Sequence, residues 1–506
     1  MSAEVLQVVA NAVNARLIGA SRTTRLLISE LLSYEVDGAD RTASFKAGNW
    51  DGRDSFYDFA SDTFPAGFVH QIGQVLTGAG HQIQFAIKQA PAPLGPDVGT
   101  HDPLGYGFAE RYDYQLETVR RLLRHKRMVA QIATGGGKSN VAVLATSTIA
   151  RPTLFLTTRG QLMHQMAAAY TKAGMPPGVL GDGVWALRKG VNVGMVQTID
   201  ARLAKPSSND SPAKQAAQLK RREQMIKILS YFELVIGEEA HEIGGSAYYN
   251  IMKHCTNAHY RLALTGTPFM RPDGEANMRL QAAFGSIGIQ VSEKKLIDRG
   301  ILATPYFKMV RPGAPHFLRR ATGWPTCYDI GIVESQERNK AIAYEVTRGA
   351  AEHLSCLTLV QREKHGDTLH RMLGEAGVRS AFIFGKHEQS LRTEALNDLK
   401  AGNIDTVIGS TIMDVGVDVP AVGMVVIAGG GKAEVGHRQR IGRGLREKKR
   451  GANIAFILDF MDDGNKHLYA HSRAREAIIR ETPGFAENLL GDGQDYPYDL
   501  IRAARA

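Results

Sequence analysis

A glycine-rich stretch between an apolar run and a helix-like segment is the feature that most constrains this chain. It reads Ala133-Thr134-Gly135-Gly136-Gly137-Lys138-Ser139. Residues 128–132 before it predict a short buried strand, and residues 140–149 after it predict a helix. In a strand, glycine turn and helix, backbone N–H groups converge on phosphate oxygens, and the helix N-terminus adds the positive end of its dipole. The sequence therefore predicts a phosphate-binding loop in a parallel α/β sheet.

The helical end of this loop carries two side chains with distinct chemistry. Lys138 is placed to reach the β- and γ-phosphates of a nucleotide, and the Ser139 hydroxyl is placed to hold Mg²⁺. The rest of the cradle consists of Thr134, Gly135, Gly136 and Gly137. The alternative interpretation is a glycine-rich turn beside an exposed lysine.

Composition narrows the partners and the compartment. A formal net charge of +10 and an isoelectric point near 9.3 favour a polyanionic partner. The three cysteines, Cys255, Cys327 and Cys356, are widely spaced and match neither a disulfide framework nor a zinc pattern. No run is long and apolar enough to cross a bilayer, and the N-terminus shows no secretion signal. We therefore expect an intracellular protein that binds no membrane.

The length of 506 residues predicts about three domains. Residues 1–90 are predicted to form a small α+β domain that binds DNA, with helices at residues 5–18 and 68–79 and a strand at residues 82–87. A proline-rich, stiff linker follows at residues 91–107.

Aromatic residues are frequent in this first domain. Trp50, Phe56, Tyr57 and Phe59 suit a surface that stacks on nucleic-acid bases, and they suit the core of a small domain equally well. Both interpretations stay open from the sequence.

Two series of alternating strands and helices follow, as a parallel α/β sheet requires. They occupy residues 108–302 and 303–480, and a C-terminal tail covers residues 481–506. Since ligands gather at the carboxyl ends of parallel strands, polar residues after these strands are candidates for a site. The predicted strands are short apolar runs at residues 154–156, 193–196, 234–236, 262–264, 358–360, 380–383, 406–408, 424–427 and 455–458.

An acidic motif, Glu238-Glu239-Ala240-His241, follows one of these strands. With the loop, in which Ile132 stands where the general pattern has its first glycine, it resembles the ATPase motifs of superfamily 2 helicases. The family has aspartate first, which holds Mg²⁺, and then glutamate, which polarises the attacking water. The resemblance gives these roles to Glu238, one methylene longer than aspartate, and to Glu239. It gives His241 a coupling role.

Further short motifs match the family in order and spacing over residues 111–480. The resemblance implies that Gln115 reads adenine, that Asp418 lies near the nucleotide, and that Thr265 and Thr267 couple the nucleotide state to strand binding. Taken singly, each motif also fits an ordinary polar turn. The residues implied to contact a nucleic-acid strand are Thr158, Arg159, Gln197, Thr198 and Thr411.

The segment from Gln439 to Arg446 matches the family motif Q-R-x-G-R-x-x-R at every fixed position. By resemblance, Gln439 belongs to the catalytic set, and Arg443 and Arg446 are arginine fingers that stabilise charge on the transferred phosphoryl group. Because these residues come from the second series, hydrolysis would require the two halves to close. The alternative is a basic helix on a solvated face.

Two flanking stretches resemble phage branch-migration DNA helicases, whose cores are similar to XPB and type III restriction proteins. They are Trp50-Asp51-Gly52 with Phe64-Pro65-Ala66-Gly67, and Asp459-Phe460-Met461-Asp462 with the later His471-Ser472-Arg473-Ala474-Arg475. The implied fold class is α/β, with two tandem RecA-like parallel-sheet domains preceded by a small α+β domain.

The implied function is that of an ATP-dependent DNA helicase or translocase that remodels branched DNA, with ATP and Mg²⁺ as cofactors. Its DNA contacts would be made to phosphates and would be independent of sequence. The implied compartment is the cytoplasm, that of the host if the protein is phage-encoded. Three alternatives stay open: an RNA helicase, a restriction-system motor subunit, and an ATP-gated nucleic-acid-binding switch with weak hydrolysis, which Glu238 favours.

Overall fold

The computed structural model describes residues 3–239, 246–268, 274–385, 388–410, 421–431, 434–448 and 451–505. The chain forms two compact units. The first comprises residues 1–133 and 137–291, and the second comprises residues 134–136 and 292–506. No helix in the described ranges is long and apolar enough to cross a membrane. The three cysteines are buried and free.

The leading part of the first unit is a small mixed sheet in the order β5-β2-β1-β6, with a separate β3-β4 pair. Strands β1 and β6 run parallel, and β1 and β2 run antiparallel. The elements are β1 Val5–Ala10, β2 Asn14–Ile18, α1 Arg22–Leu31, β3 Ser33–Glu35, α2 Ala43–Lys46, β4 Arg53–Ser55, β5 Thr63–Pro65, α3 Val69–Gly78 and β6 Gln82–Ile87.

The helix predicted at residues 5–18 is wrong, because this segment is the β1–β2 hairpin. Its side chains alternate, with Leu6 and Val8 buried and Val9 exposed on the opposite face. The Asn11 side-chain oxygen accepts the N–H groups of Val13 and Asn14 and closes the turn. An apolar run with period two and an asparagine turn favours a hairpin over a helix.

Most aromatic residues of the leading part belong to its core. Tyr57, Phe64 and Phe68 are buried, and Phe56 packs edge-on against Tyr249 at 5.8 Å between ring centroids. A separate contact shows how close this sheet lies to the rest of its unit. A Cβ atom at Gly67 would lie 2.0 Å from the Gln281 carbonyl oxygen, which explains a glycine there.

The rest of the first unit is an eight-stranded sheet in the order β10-β9-β11-β8-β12-β13-β7-β14, parallel apart from the β9–β10 pair. Its elements are α4 Asp113–His125, β7 Arg127–Ile132, α5 Lys138–Ile149, β8 Thr153–Thr157, α6 Gly160–Lys172, β9 Gly178–Gly181, β10 Val184–Ala186, β11 Val191–Met195, α7 Val196–Leu203, α8 Pro212–Tyr231, β12 Leu234–Glu238, α9 Ser246–His254, β13 Tyr260–Thr265, α10 Gly274–Phe284 and β14 Ile287–Val291.

The proline-rich tract lies against this sheet domain. The Leu94 N–H donates to the Ile149 carbonyl at 3.1 Å, and a Cβ atom at Gly95 would lie 2.0 Å from the Ser147 carbonyl oxygen. The tract therefore follows the end of α5 closely, and only glycine fits at position 95.

The second unit is a six-stranded parallel sheet in the order β15-β20-β19-β16-β18-β17. Its elements are α11 Glu293–Asp298, β15 Thr304–Val310, α12 Trp324–Tyr328, α13 Gln336–Ala351, β16 Cys356–Val360, α14 Glu363–Glu375, β17 Ser380–Ile383, α15 Gln389–Ala401, β18 Thr406–Ser410, β19 Met424–Val426, α16 Glu434–Gly444, β20 Ile454–Phe460, α17 Lys466–Glu481 and α18 Tyr498–Ala503.

The end of the chain packs onto this second sheet. Tyr496 and Tyr498 are buried, and their ring centroids lie 4.6 and 5.1 Å from that of Phe456. The predicted fold class, tandem parallel-sheet domains after a small mixed α/β region, is confirmed. The predicted domain bounds stay predictions.

Candidate functional site

The glycine-rich loop joins the buried strand β7 to helix α5, as the sequence predicts. Gly135 and Gly137 have φ angles of +86° and +78°, which only glycine adopts without strain. Lys138 is the first residue of α5 and is buried. A Cβ atom at Gly137 would lie 2.4 Å from Gln115 Nε2, so the buried Gln115 side chain lies against the loop.

The acidic pair lies at the carboxyl end of β12. Glu238 is 5% exposed, and its Oε2 atom is buried without a hydrogen-bond partner among the residues that the structure describes. Burial raises the pKa of Glu238 to about 7, against the opposing charge of Lys138 and with repulsion from Glu239. Because a buried carboxylate oxygen without a hydrogen-bond donor is costly, an oxygen of this kind is a suitable ligand for a cation.

The backbone of Glu239 is left-handed, with a φ angle of +52°. A non-glycine residue in this region costs of order 1–3 kcal/mol, and such residues concentrate at functional sites. The bend follows directly after the last residue of β12 and therefore turns the chain at the end of that strand.

We expect Glu238→Asp to retain or raise ATP turnover, because aspartate keeps the carboxylate and is the residue of the family motif. Steady-state hydrolysis at saturating Mg²⁺-ATP measures this. The control is Glu223→Asp on the exposed part of α8, which shortens an acidic side chain elsewhere in the same unit. A loss of turnover in Glu238→Asp that the control does not share would contradict the proposed metal role.

Two threonines of the predicted coupling motif lie at the carboxyl end of β13. Thr265 ends that strand, and its hydroxyl oxygen accepts the N–H of Thr267 at 3.1 Å. Both side chains are buried. The third predicted coupling residue, His241, lies outside the described residues.

Two of the motifs predicted to contact a nucleic-acid strand lie side by side, after the carboxyl ends of β8 and β11. Strands β8 and β11 are parallel neighbours, with Thr157 paired to Met195. The Gln197 amide donates to the Thr158 carbonyl at 2.9 Å, and Arg159 follows at the start of α6. Thr198 lies in the first turn of α7. These residues therefore form one polar cluster, whereas Thr411 lies outside the described residues.

The predicted arginine fingers belong to the second unit. Gln439 and Arg443 lie on α16, and Arg446 follows the helix in an isolated bridge with Leu302. All three side chains are partly buried. Asp418, predicted near the nucleotide, lies outside the described range.

A buried ionic cluster that the sequence reasoning missed lies beneath α16. Arg475 donates to both oxygens of Asp459, at 3.0 and 2.9 Å, and to the Gly431 carbonyl at 2.8 Å. Arg338 pairs with Asp462 and donates to the Ala428 carbonyl at 2.9 Å. These bonds fix residues 427–431, which precede α16.

Part of this cluster had a sequence signal. The similarity of residues 459–462 and 471–475 to the helicase relatives marked both aspartates and Arg475, although it gave no chemical role to them. Arg338 had no such signal, since its partner Asp462 lies 124 positions away along the chain.

His437 lies on α16 next to this cluster and is buried. Its Nε2 atom is 3.8 Å from Asp459 Oδ2, and neither ring nitrogen has a hydrogen-bond partner among the described residues. Burial lowers its pKa to about 4, because desolvation and the positive charges of Arg475, Arg440 and Arg438 outweigh the attraction of Asp459. The ring is therefore neutral in the folded protein at neutral pH.

This neutral ring predicts a loss of stability in acid. Between pH 6.5 and 4 the unfolded chain binds a proton on His437 that the folded chain does not, so stability falls as pH drops through that window. The contribution is about 2 kcal/mol between pH 7 and pH 5. His437→Leu is expected to remove it, as measured by thermal unfolding at both pH values. The exposed His316→Leu is the control, and equal acid sensitivity in both variants would contradict the assignment.

Among the described residues, no group of three or more His, Cys, Asp or Glu side chains could hold a metal ion by itself. A magnesium site at the loop would therefore depend on few protein ligands and on the nucleotide phosphates, which is usual for Mg²⁺.

Sequence comparison adds two family matches. The profile described as "Type III restriction enzyme, res subunit" matches residues 109–270, and the "Helicase conserved C-terminal domain" matches residues 337–448. The first match contains the loop and the acidic pair, and the second contains α16.

Two curated relatives align over most of the chain. The ATP-dependent DNA helicase uvsW of Enterobacteria phage T4 is 23% identical over 458 residues, which is 86% of this chain and 86% of the relative. The DNA 3'-5' translocase XPB2 of Sulfurisphaera tokodaii is 24% identical over 409 residues, 72% of this chain and 85% of the relative.

Among solved structures, a fragment described as an HsdR subunit of a type I restriction enzyme from Vibrio vulnificus has a TM-score of 0.50 at 19% identity. The superposition covers 69% of this chain and 64% of the restriction-enzyme fragment. At this identity the likeness concerns the fold alone. The two family matches and the two relatives identify an ATP-hydrolysing enzyme, and its two parallel-sheet domains are of the RecA-like class. The chain belongs to the superfamily 2 helicases.

Proposed function

We propose that this helicase is an ATP-driven DNA translocase that remodels branched DNA. One observation supports ATP as the energy source. The loop of residues 133–139 leads into α5, and the positive charge of Lys138 at the start of that helix lowers the pKa of the nearby, buried Glu238 carboxyl group, opposing the effect of burial. The choice of DNA as the substrate is supported by the two relatives that align over most of the chain, since they are named as a DNA helicase and a DNA translocase. We place its action in the cytoplasm, that of the host if the protein is phage-encoded.

The residues of the phosphate loop, the start of α5 and the end of β12 fit a magnesium–nucleotide complex. Glu238 offers a buried carboxylate oxygen without a protein partner in the described ranges, and Ser139 lies one residue into α5 after Lys138. In this proposal Ser139 and Glu238 hold the ion, Lys138 and the loop glycines with Thr134 hold the phosphates, and Gln115 orients the adenine. Bound Mg²⁺ would neutralise charge on the β- and γ-phosphates.

Glu239 is proposed as the base that takes the proton of the attacking water. Gln439, Arg443 and Arg446 are proposed to stabilise the charge that develops on the transferred phosphoryl group. Asp418 is proposed to lie near the nucleotide.

The polar cluster of Thr158, Arg159, Gln197 and Thr198 is proposed to hold one DNA strand by its phosphates, together with Thr411. Thr265, Thr267 and His241 would pass the nucleotide state to these contacts. Because phosphates look alike in every sequence, this binding should be independent of sequence and should weaken as salt rises.

A second candidate function has one observation in its favour. Glu238 is buried, and its pKa is raised to about 7, so part of the population would carry a neutral side chain where the family has an ionised aspartate. A protein with such a site could bind ATP and hydrolyse it slowly, acting as an ATP-gated DNA-binding switch.

Steady-state ATP hydrolysis tests both functions. It is measured without nucleic acid and with single-stranded DNA, duplex DNA, a four-way junction and RNA, with Lys138→Ala as the inactive control. The translocase predicts strong stimulation by DNA, greatest for the branched form. ATP binding without turnover on any polymer would favour the switch, and stimulation by RNA alone would contradict a DNA translocase.

A further inference from the structure

A large cleft opens in the first unit, away from the phosphate loop. It has a volume of about 970 Å³ and lies between the leading sheet and the eight-stranded sheet. One wall consists of α3 and the end of β6. The other consists of the end of α4, the start of β7 and the turn at residues 285–288 that precedes and begins β14.

Every residue that lines the cleft and has an ionisable side chain is basic. No aspartate or glutamate lines this part of the described structure. The basic residues are His70, Lys88, Arg124, His125, Lys126, Arg127 and His259.

These charges repel one another instead of being neutralised. Burial lowers the pKa of His259, and the charges of Lys88 and Arg127 lower it further. Burial likewise lowers the pKa of His125, with added repulsion from Arg124 and His70. A cluster of uncompensated cations is a site for an anion.

Arg127 provides a second, independent observation. Its Nη2 atom donates to the Ala12 carbonyl at 3.0 Å, whereas its Nη1 atom is buried without a hydrogen-bond partner among the described residues. The nearby Arg261 differs, since the four carbonyls of Ala258, Ala283, Met252 and Cys255 accept its N–H groups. Arg127 therefore keeps one N–H donor group without a protein acceptor at the wall of the cleft.

The cleft also has an apolar surface of the kind that bases stack on. Phe85 and Ile87 on β6 are 50% and 52% exposed. The Phe85 ring lies over α3, since a Cβ atom at Gly73 would be 2.9 Å from Phe85 Cζ. Single strands expose base faces that duplexes keep stacked, and aromatic side chains beside cations are typical of single-strand binding.

The cleft is separate from the polar cluster of Thr158, Arg159, Gln197 and Thr198. Arg127 begins β7, and the phosphate loop follows the other end of that strand. Six strand residues span about 20 Å. The polar cluster follows the carboxyl ends of β8 and β11, which run parallel within the same sheet. The cleft therefore lies at the amino ends of the parallel strands, and the polar cluster lies at their carboxyl ends.

The cations of the cleft are a local feature. Residues 1–90 contain seven lysines and arginines against nine aspartates and glutamates, so the leading part as a whole does not attract polyanions. Most of the cleft's positive charge comes from Arg124, Lys126 and Arg127, and the leading part adds Lys88 and the apolar surface.

We infer that this cleft binds an unpaired strand of DNA, with its phosphates on Lys88, Arg124, Lys126 and Arg127 and a base on Phe85. The identity of the polymer as DNA rests on the proposed function. The site itself rests on the charge, on the Nη1 atom of Arg127 that has no hydrogen-bond partner among the described residues, and on the half-exposed Phe85 ring.

The double variant Lys88→Ala/Arg124→Ala tests the phosphate contacts. Both side chains are exposed, so the fold should be retained. The matched control is Lys340→Ala/Arg371→Ala, which removes the same charges from exposed helices of the second unit. Binding of the full chain to labelled oligothymidine of about 20 nucleotides and to a duplex of equal length is measured over a salt series.

We expect the cleft variant to bind oligothymidine at least about tenfold more weakly, with a log–log salt slope smaller by about 1.4, because two phosphate contacts are lost. The control should match the wild type, and ATP hydrolysis without DNA should be unchanged in both. Equal binding by cleft and control variants would overturn the inference while leaving the translocase intact. A loss confined to duplex DNA would also overturn it, and a wild type that binds no DNA would overturn both proposals.

Phe85→Trp tests the stacking contact separately. Tryptophan keeps an aromatic face, so oligothymidine should quench the added fluorescence while affinity is retained. Ile18→Trp, on an exposed position of β2, is the control. Quenching at position 18 and not at position 85 would contradict a base on Phe85.

Discussion

Replacing Glu239 with glutamine is expected to abolish ATP turnover while ATP still binds. Glutamine has nearly the same shape as glutamate but cannot take a proton from water. Loss of a general base costs about 10²–10⁴ in rate. Single-turnover hydrolysis and nucleotide binding, measured on the same preparation, separate the chemical step from affinity. The left-handed backbone at this position is kept, since glutamine replaces only the side-chain carboxylate.

The matched control is Glu223→Gln on exposed helix α8, which removes one negative charge from the same unit without touching the loop. Its turnover should equal that of the wild type. Full turnover in Glu239→Gln would leave no support for the role of Glu239 as the general base.

Replacing Arg443 with alanine is expected to lower turnover by about 10³–10⁵, the range found for arginine fingers in phosphoryl transfer. ATP affinity should change little, because a finger acts mainly on charge that develops in the transition state. DNA-stimulated turnover and nucleotide affinity are the two measurements. The neighbouring Arg440 differs, since it donates to the Gly430 carbonyl at 2.8 Å and so helps to hold the segment before α16.

Arg473→Ala on α17 is the control, because that side chain is 57% exposed and pairs with Glu476 three residues along the same helix. It should keep full turnover. Steady-state turnover of Arg443→Ala equal to that of the control would remove the finger role.

The motifs that lie next to a strand end could be predicted from the sequence. The loop, the acidic pair and the polar turns after β8 and β11 follow directly from short apolar strands and from the rule that parallel strands place their carboxyl ends together. Local sequence patterns do not predict contacts between residues that are far apart along the chain and meet only when the domain packs. Arg338 and Asp462 are far apart in sequence, and no local signal relates them.

The leading part shows the same limit. The strand predicted at residues 82–87 is confirmed. Residues 5–18 form a hairpin instead of the predicted helix, because their period-two alternation, and not their overall apolar character, matches the burial of their side chains. The basic cleft had no sequence signal, since its residues come from positions 10–90, 124–128, 259 and 285–288.

The close approach at Gly67 has a consequence for how this protein could evolve. The Gln71 and Gln281 side chains are joined at 2.7 Å, Ala282 belongs to the core of the leading sheet, and a Cβ atom at position 67 would meet the Gln281 carbonyl. A leading sheet that shares core residues with the motor cannot be exchanged for another as an independent module. New substrate preferences would therefore arise by substitution within this sheet and less readily by recombination with a foreign domain.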